Sequence, residues 1–442
     1  MNSLGQYGDD ITPEKIAEVL PKQADVIIWW ELWDEWKGWD AYMLAENKKY
    51  ELLVSPIGGP NAWHTVRFQN WTKFVGHNMP WSAVTGQDVF LGQWKYINVQ
   101  WLESELKALK ELWSEPKVKI AKSAHSLFSS FHWRLDWAIE DVKKENGNDV
   151  WTTKSGMWPW VATRWLRNSI TMDYLAKLSW NDLSIAIDEL LLPFNPKLRT
   201  NSEDIRSEIL QYQTKLKLLI DQGIVEIVDD MYAQEVYRSW GNMLIEWAQS
   251  WKLWMYGWAY PFNTSTDTSF LGVLSSLGIT PTPDRISEYL ITKVFPSAVG
   301  NHKFPGQISK FFPHLINQEK EFAIETLEKW STTWRPRDIS LPDAASIANY
   351  INNDPYVDVV SIRKFDVIED FKKIMGLAKL PVIIGSKENW KLITKEIEYS
   401  DEALIWTFRD TINNLVWNQK GFNIPIIMWY GATPNDSRID TL

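Results

Sequence analysis

The sequence of 442 residues contains no cysteine, which excludes disulfide bonds and thiolate chemistry and is consistent with a reducing compartment. Apolar runs such as DVIIWW and LPVIIG are too short to span a bilayer. The first residues, MNSLGQYGDD, lack the basic start and apolar stretch of a signal peptide. These absences predict a cytoplasmic protein with no membrane partner. A formal charge of −10 disfavours nucleic acid, because phosphate-backbone binding needs a basic face, but it leaves anionic small molecules open.

Glycine is scarce and tryptophan abundant, with 21 Gly against 29 Trp. A Trp cluster is usually core, or a sugar-binding or membrane-interface surface. Here the tryptophans recur at turn positions, including five between Trp29 and Trp39. Another is Asn70-Trp71 between two short strands, where a two-residue hairpin favours Asn-Gly because both central residues need positive φ. We hypothesise that many of these codons specify glycine in the source organism through a reassigned UGA stop codon.

Strand-like and helix-like segments alternate along the chain. The strand-like runs are ADVIIWW, YELLVSPIGG, GNMLIEW, VDVVSIRKFDV, LPVIIGS and IPIIMWYGA, and the helical patterns are LESELKALKELW, SEDIRSEILQYQTKLKLLIDQG and SDEALIWTFRDTINNL. This alternation predicts an α/β fold, a central and mainly parallel β-sheet flanked by helices. No Pro/Ser-rich linker divides the chain, so we expect one large domain.

The first of these runs leads into residues 33–38, WDEWKG, which read GDEGKG if the tryptophans stand for glycine. A loop of small residues between a strand and a helix wraps phosphates with backbone N–H groups, and a lysine adds charge. The pattern is not the Walker sequence and is weak evidence taken alone.

Taken in order, several segments resemble the adenylosuccinate synthetase family, whose members join aspartate to IMP using GTP. The segments are WDEWKG, IGGPNAWHT, WTTKSGMWP, IEWAQSWKLWMYGWAYPFNTS, SAVGNHKFP, STTWRPR, RKFD and IPIIMWYGATPNDSR. The family has glycine at Trp33, Trp36, Trp63, Trp151, Trp158, Trp247, Trp258 and Trp334. The resemblance implies a P-loop-like GTP-binding ligase fold over residues 25–442, with residues 1–24 as an N-terminal extension. It also implies Mg²⁺ as cofactor and a homodimer.

The resemblance assigns the catalytic residues. Asp34 corresponds to the base that takes the N1 proton of IMP, and His64 to the acid that assists phosphoryl transfer. Lys37 supports the γ-phosphate, and the Asp34 carboxylate with the Trp63 carbonyl would hold Mg²⁺, which prefers oxygen ligands.

The same resemblance assigns the substrate contacts. IMP is expected at Asn61, Thr153, Arg164, Gln249, Thr264 and Val299. L-Aspartate is expected at Thr332, Thr333, Arg335 and Arg337, since guanidinium groups bind carboxylates through paired hydrogen bonds. GTP is expected at Glu35, Trp36, Lys37, Gly38, Lys364, Asp366 and Gly431. Asp366 would accept hydrogen bonds from guanine N1 and N2, a pair of donors that adenine does not offer.

One departure and three alternatives accompany this interpretation. The family's inter-subunit arginine on the IMP phosphate falls at Thr163, with Arg164 or Arg167 nearby. One alternative is the related ligase that adds aspartate to a guanine nucleotide, although the retained Asp34 favours IMP. Another is a Trp-rich carbohydrate or membrane-surface binding module. A third is a chain with the family's outline whose indoles fill the ligand loops and abolish activity.

Overall fold

The computed structural model describes residues 9–10, 12–29, 37–59, 64–68, 72–147, 154–191, 202–253, 255, 263–298, 306–326, 336–386, 391–416, 424–429 and 437–441. The strands in these ranges are β1 Asp9–Asp10, β2 Ala24–Trp29, β3 Leu52–Gly58, β4 His64–Arg67, β5 Lys73–Gly76, β6 Val89–Ile97, β7 Val118–Ala121, β8 His125–Ser126, β9 Val225–Val228, β10 Met243–Ser250, β11 Ile286–Lys293, β12 Ser297–Ala298, β13 Asp338–Ile339, β14 Val357–Arg363, β15 Leu380–Ser386, β16 Leu392–Ile397, β17 Pro425–Trp429 and β18 Ser437–Thr441.

The main sheet has the order β1-β18-β17-β14-β11-β2-β10-β3-β6-β7-β9 among the described strands. Every neighbouring pair from β17 to β9 is parallel, while β18 and β1 add an antiparallel edge. The central strands β2, β3 and β11 are buried along their whole length, as expected for a parallel sheet covered on both faces. The predicted α/β architecture is confirmed.

Helices cover the sheet. They are α1 Pro13–Val19, α2 Lys37–Lys48, α3 Val99–Glu111, α4 Arg134–Glu145, α5 Met157–Trp165, α6 Met172–Lys177, α7 Trp180–Ala186, α8 Ser202–Asp221, α9 Tyr232–Arg238, α10 Phe270–Ser276, α11 Ile308–Phe311, α12 Ile316–Glu325, α13 Ala344–Asn353, α14 Ile368–Met375 and α15 Asp401–Leu415. The three helices predicted from periodicity correspond to α3, α8 and α15. In α3 the buried Val99, Leu102 and Leu109 form the inward face, and the Asn98 side chain caps the first turn. None of the described helices is long and apolar enough to cross a membrane.

Two sequence predictions need correction. The segment LPVIIGS is a strand, but β15 pairs with β16 in a separate antiparallel hairpin and does not join the main sheet. The strands around Asn70-Trp71 do form a hairpin, with Arg67 opposite Lys73. However, Phe68 N donates to Thr72 O, which leaves three residues between the paired positions instead of two. Three-residue hairpin loops also favour glycine at a left-handed position, so the preference for glycine in this loop survives the correction.

Among the described helices, the ends of α3, α5, α8, α9 and α10 share one geometry and differ in the residue that occupies it. After α5 that residue is Arg167 (φ 62°), whose N donates to Arg164 O while Asn168 N donates to Thr163 O. After α8 and α10, Gly223 (φ 69°) and Gly278 (φ 67°) lie in the left-handed region. Two backbone hydrogen bonds close each end: Gly223 N to Ile220 O with Ile224 N to Leu219 O, and Gly278 N to Ser275 O with Ile279 N to Leu274 O. This is the Schellman arrangement, in which glycine is usual because it has no Cβ.

The ends of α3 and α9 repeat the arrangement with tryptophan. Trp113 has φ 61° and Trp240 has φ 67°. Trp113 N donates to Lys110 O and Ser114 N to Leu109 O, while Trp240 N donates to Tyr237 O and Gly241 N to Val236 O. Both indoles are largely exposed, at 96% and 69%. A left-handed conformation is costly for a side chain with a Cβ. Little burial offsets that cost at Trp113, whereas the Trp240 ring also contacts the Arg285 guanidinium, with 4.0 Å from Cζ to the ring centroid.

Other tryptophans belong to the core. Trp29, Trp81, Trp160, Trp247 and Trp429 are fully buried. The core interpretation therefore holds for this group, one of which, Trp247, stands at a position where the family has glycine. The indole N–H groups of Trp160 and Trp247 are nevertheless buried without a hydrogen-bond acceptor, which is unfavourable.

Candidate active site at the carboxyl edge of the sheet

Five of the segments predicted to bind ligands lie at the carboxyl ends of parallel strands. Residues 34–38 follow β2, residues 61–64 follow β3, residues 364–366 follow β14 and residue 431 follows β17. Gln249 is the penultimate residue of β10. Because β17, β14, β11, β2, β10 and β3 are successive neighbours, these ends meet along one edge of the sheet. Ligands of open α/β folds bind at this edge.

Helix α2 starts at this edge with Lys37, the predicted γ-phosphate ligand, and Gly38, which is buried. The helix N-terminus offers unpaired N–H groups and a partial positive charge to an anion. Its other end, at Lys48, lies at the amino edge of the sheet beside Asp25 of β2. Strand β2 and helix α2 thus lie on either side of the predicted phosphate loop, with the start of the helix at the carboxyl edge of the sheet.

His64 opens the β4–β5 hairpin, where its backbone pairs with Gly76. The residues just after Gly76 are fixed by a carboxylate that sequence analysis missed, Glu105 of α3. Its oxygens accept hydrogen bonds from His77 N (2.9 Å), Asn78 N (3.2 and 3.1 Å) and Met79 N (2.9 Å). Burial raises the pKa of Glu105 to about 7. Glu105 therefore anchors the segment that directly follows the β4–β5 hairpin.

A second buried carboxylate, Glu246 of β10, anchors the next stretch of the same segment. It accepts hydrogen bonds from Trp81 N (2.7 Å) and Ser82 N (3.0 Å), and burial raises its pKa to about 7. Lys95 of β6 is also fully buried, donates to Ser55 Oγ at 2.8 Å, and has its pKa lowered by burial to about 8. No local sequence pattern marks these residues, since each acts on a segment distant in the chain.

A family model for adenylosuccinate synthetase matches residues 26–379. The chain belongs to the adenylosuccinate synthetase family. Members of this family join L-aspartate to IMP at the expense of GTP, and the chain is a GTP-dependent ligase of purine nucleotide biosynthesis.

Relatives and solved structures agree with this family. The adenylosuccinate synthetase of Lodderomyces elongisporus is 26% identical over 390 residues, 86% of this chain and 85% of the relative. That of Scheffersomyces stipitis is 26% identical over 448 residues, 94% and 99% of the two chains. The fold resembles the fully ligated enzyme of Plasmodium falciparum, with a TM-score of 0.75, 20% identity and coverage of 95% and 100%. It also resembles succinoaminodeoxyadenylate synthetase of cyanophage S-2L, with a TM-score of 0.61, 16% identity and coverage of 94% and 95%.

The guanine segment of the adenylosuccinate synthetase pattern, RKFD, forms a tight turn after β14. Lys364 has φ 66°, a left-handed conformation, and its Nζ donates to Thr326 O at 2.7 Å. Phe365 is buried, while Asp366 in the following 3-10 turn is exposed. The turn therefore presents the Asp366 carboxylate outward at the carboxyl edge, as a base-reading residue requires.

The aspartate and IMP segments are joined by a short pairing. Strand β12 pairs antiparallel with β13, so that Ala298 lies opposite Asp338. Val299 follows the first of these strands directly, and Arg337 precedes the second and is 6% exposed. Two segments assigned to different substrates thus lie side by side.

Among the residues predicted to bind IMP, Gln249 is buried in β10, and Thr264 N donates to Leu253 O at 2.8 Å. The Arg164 side chain makes contacts within the chain. Its Nη1 donates to Gln93 O (2.7 Å) and Ser123 O (3.2 Å), and its guanidinium lies 4.0 Å from the Trp94 ring centroid. Burial lowers the pKa of Arg164 to about 10. Arg167, by contrast, is exposed just after α5, with φ 62°.

Several predicted positions lie outside the described residues: Asp34, Glu35, Trp36, Asn61, Trp63, Trp71, Thr153, Val299, Thr332, Thr333, Trp334, Arg335 and Gly431. For Lys37 and His64 the structure describes the backbone only. Their assignments remain predictions.

Proposed function

We propose that this member of the family carries out IMP–aspartate ligation with Asp34 as general base and His64 as general acid. The observation that supports this assignment is the convergence of the segments after β2, β3, β10 and β14 on one edge of the sheet. In the proposed site the phosphate loop, the His64 hairpin, Gln249 and the guanine turn all belong to this edge.

The chemistry proceeds in two steps. Asp34 takes the proton from N1 of IMP, and O6 attacks the γ-phosphorus of GTP as the bond to GDP breaks. Lys37 and the α2 N-terminus stabilise the transferring phosphoryl group, and His64 donates a hydrogen bond to its oxygens. The aspartate amine then attacks C6 and expels phosphate, which yields adenylosuccinate. Arg335 and Arg337 hold the aspartate carboxylates.

A carboxylate and a backbone carbonyl are the hard oxygen ligands that Mg²⁺ prefers, so Asp34 and the Trp63 carbonyl fit this ion chemically. When bound, Mg²⁺ offsets the charge that develops on the phosphate oxygens. Gly38 with residues 35–37 receives the GTP phosphates, and Lys364, Asp366 and Gly431 receive the guanine.

For a homodimer, the IMP phosphate contact from the partner subunit is better assigned to Arg167 than to Arg164. Arg164 already donates to two backbone carbonyls and lies against Trp94 in its own subunit. Arg167, in contrast, is exposed just after α5, where its side chain can reach a neighbouring subunit. Arg167→Ala should raise the KM for IMP without changing that for GTP. An equal effect on both constants would contradict the assignment.

We also propose that the natural protein carries glycine at Trp33, Trp36, Trp63 and the other family glycine positions, and at Trp113 and Trp240. The two helix ends support this, because glycine is the usual residue in this geometry and occupies it at Gly223 and Gly278, while Arg167 is a further residue with a Cβ that adopts it. In the phosphate loop the reason is functional: backbone N–H groups approach phosphates closely only where side chains are small.

Two experiments test these proposals separately. The intact mass of the protein isolated from its source shows directly which residue is present, and a mass that fits 29 Trp overturns the glycine proposal. For activity, the chain as written and a chain with glycine at these positions are each assayed for IMP- and aspartate-dependent phosphate release from GTP. We expect the glycine chain to be active and its Asp34→Ala variant to be inactive but folded. Normal turnover by that variant would contradict the assignment of the base.

A further inference from the structure

A buried polar cluster formed by Asp40, Tyr289, Ser361 and Arg363 lies just beneath the carboxyl edge of the sheet. Arg363 Nε donates to Asp40 Oδ2 at 2.6 Å, while Ser361 Oγ (2.9 Å) and Tyr289 Oη (2.8 Å) donate to Asp40 Oδ1. Arg363 Nη2 forms an ion pair with the same carboxylate. The Asp40 cluster therefore surrounds one carboxylate with donors from two strands.

All four side chains are removed from water. Asp40, Tyr289 and Ser361 are 0% exposed and Arg363 is 1% exposed. Arg363 also stacks on Trp429 of β17, with 4.2 Å from Cζ to the ring centroid, and Trp429 Nε1 donates to Ser361 Oγ at 3.0 Å. A charge pair buried this completely tolerates little displacement, because moving either partner leaves a charge without compensation.

The members of the Asp40 cluster sit next to the GTP residues in the chain. Asp40 lies in the first turn of α2, three residues after Lys37. Arg363 ends β14 and is followed directly by Lys364, with Asp366 two residues further on. Trp429 ends β17, two residues before Gly431. One buried network thus connects α2, the helix after the predicted phosphate loop, with the two strands that precede the segments expected to contact guanine.

We propose that Asp40 and Arg363 are positioning residues that set the distance between the start of α2 and the guanine turn. The proposal rests on the use of GTP by this chain. GTP has its γ-phosphate and its base at opposite ends of one molecule, so both segments must be correctly spaced before either contact is fully made. A displacement of α2 relative to β14 then costs GTP affinity, while IMP and aspartate, held by other segments, are little affected.

A matched control exists at the other end of the same helix. Lys48, in the last turn of α2, forms an ion pair with the buried Asp25 of β2, and Tyr50 Oη donates to that carboxylate at 2.5 Å. The composition is the same: a buried carboxylate, a cation and a tyrosine. Its location is the amino edge of the sheet, away from the segments assigned to GTP.

The experiment compares two double variants, Asp40→Asn/Arg363→Gln and Asp25→Asn/Lys48→Gln, in whichever of the two chains described above is active. Both remove a buried ion pair and keep hydrogen-bonding side chains of similar size. We expect the first to raise the KM for GTP by about tenfold or more, equivalent to about 1.4 kcal/mol, with KM for IMP and aspartate unchanged. It should also weaken the preference for GTP over ITP. We expect the control to lower Tm but to keep the wild-type KM for GTP.

Several results would overturn the proposal. One is an unchanged KM for GTP in a folded Asp40→Asn/Arg363→Gln protein, and another is an equal rise of that KM in the control. If the double variant does not fold, Arg363→Lys keeps the charge and changes only the geometry, and it must then raise the KM for GTP. Failure of both variants to fold would assign the pair to stability alone. Inactivity with GTP of both the chain as written and the glycine chain contradicts the proposed function instead.

Discussion

Helix α2 is fixed at both ends by buried ion pairs of the same composition, but the two pairs connect different parts of the chain. At its start Asp40 meets Arg363, which lies 323 residues away, and at its end Lys48 meets Asp25, which lies 23 residues away. A tyrosine donates to each carboxylate, and burial raises the pKa of both carboxyl groups, while Arg363 and Lys48 act in the opposite direction. The acid at the start and the base at the end also suit the helix dipole.

The two ion pairs hold α2 against different elements of the fold. The Asp25–Lys48 pair joins the helix to the strand that precedes it, and Lys48 also donates to Leu20 O and Lys22 O, so it fixes α2 on its own β-α unit. The Asp40–Arg363 pair reaches past β11 to β14 and fixes α2 relative to a second ligand segment. Equal chemistry therefore supports stability at one edge and, we propose, GTP binding at the other.

Breaking each pair from the cation side gives the largest expected effect. Arg363→Leu leaves the fully buried Asp40 without its cation, and we expect a loss of about 3–5 kcal/mol in the free energy of unfolding. Lys48→Leu should cost less, because the Lys48 side chain is 11% exposed and water can reach the site of the lost charge. Urea denaturation of both variants measures the difference. Equal losses would show that burial does not distinguish the pairs.

Removing only the tyrosine hydroxyls tests the two ion pairs while both partners of each pair remain in place. Tyr289→Phe and Tyr50→Phe each delete one donor to a buried carboxylate, and each should cost about 1–3 kcal/mol of stability. Only Tyr289→Phe should raise the KM for GTP. The assay of KM for both variants, with Tm as the stability measure, checks this, and a rise of the GTP KM in Tyr50→Phe would remove the functional contrast.

Glu105 is a third buried carboxylate, whose hydrogen bonds come mainly from backbone N–H groups, and it makes stability depend on pH. Its pKa in the folded state is about 7, above the ordinary value of 4.5, so the folded state binds the proton more tightly. Its contribution to stability is present below pH 4.5 and is lost as pH rises through 7, by up to about 1.4 kcal/mol per pH unit. Glu105→Gln should flatten this part of the pH profile.

His132 provides the control with the opposite sign. Burial lowers its pKa to about 3 from 6.5, so its contribution is present above pH 6.5 and is lost as pH falls towards 3. His132→Asn should reduce acid destabilisation in that range. Denaturation at a series of pH values measures both slopes, and slopes that change in the same direction for the two variants would contradict the assignments.

The smallest effects should come from the helix ends, which bear on stability alone. Trp113→Gly and Trp240→Gly should each raise the free energy of unfolding by about 1 kcal/mol, because glycine relieves the left-handed strain. Trp406→Gly is the matched control: Trp406 is 57% exposed but lies inside α15, where glycine costs about 1 kcal/mol. None of the three should change the KM for GTP. Destabilisation by all three would show that the helix-end indoles are not strained.

Sequence analysis predicted the α/β class, the strands β2, β3, β10, β14 and β17, and the helices α3, α8 and α15. These predictions are confirmed because the hydrophobic pattern of a buried strand or an amphipathic helix is visible in consecutive residues. The separate pairing of β15 and the third residue of the β4–β5 loop were not predicted, since strand partners and register depend on distant contacts. Glu105, Glu246 and Lys95 were missed for the same reason, because each is a single polar residue in an otherwise ordinary helix or strand.

By itself the sequence determined the order of the ligand segments, the family to which they belong and the chemistry that their side chains offer. It also revealed tryptophan at turn positions, because local backbone geometry restricts which residue fits. The tertiary structure alone decided which of these segments meet. Asp40 and Arg363 carry no local pattern, and only the sheet order β14-β11-β2 brings a helix start and a strand end 323 residues apart into hydrogen-bonding distance. Burial then makes that contact energetically significant, since a charge removed from water is stable only beside its partner.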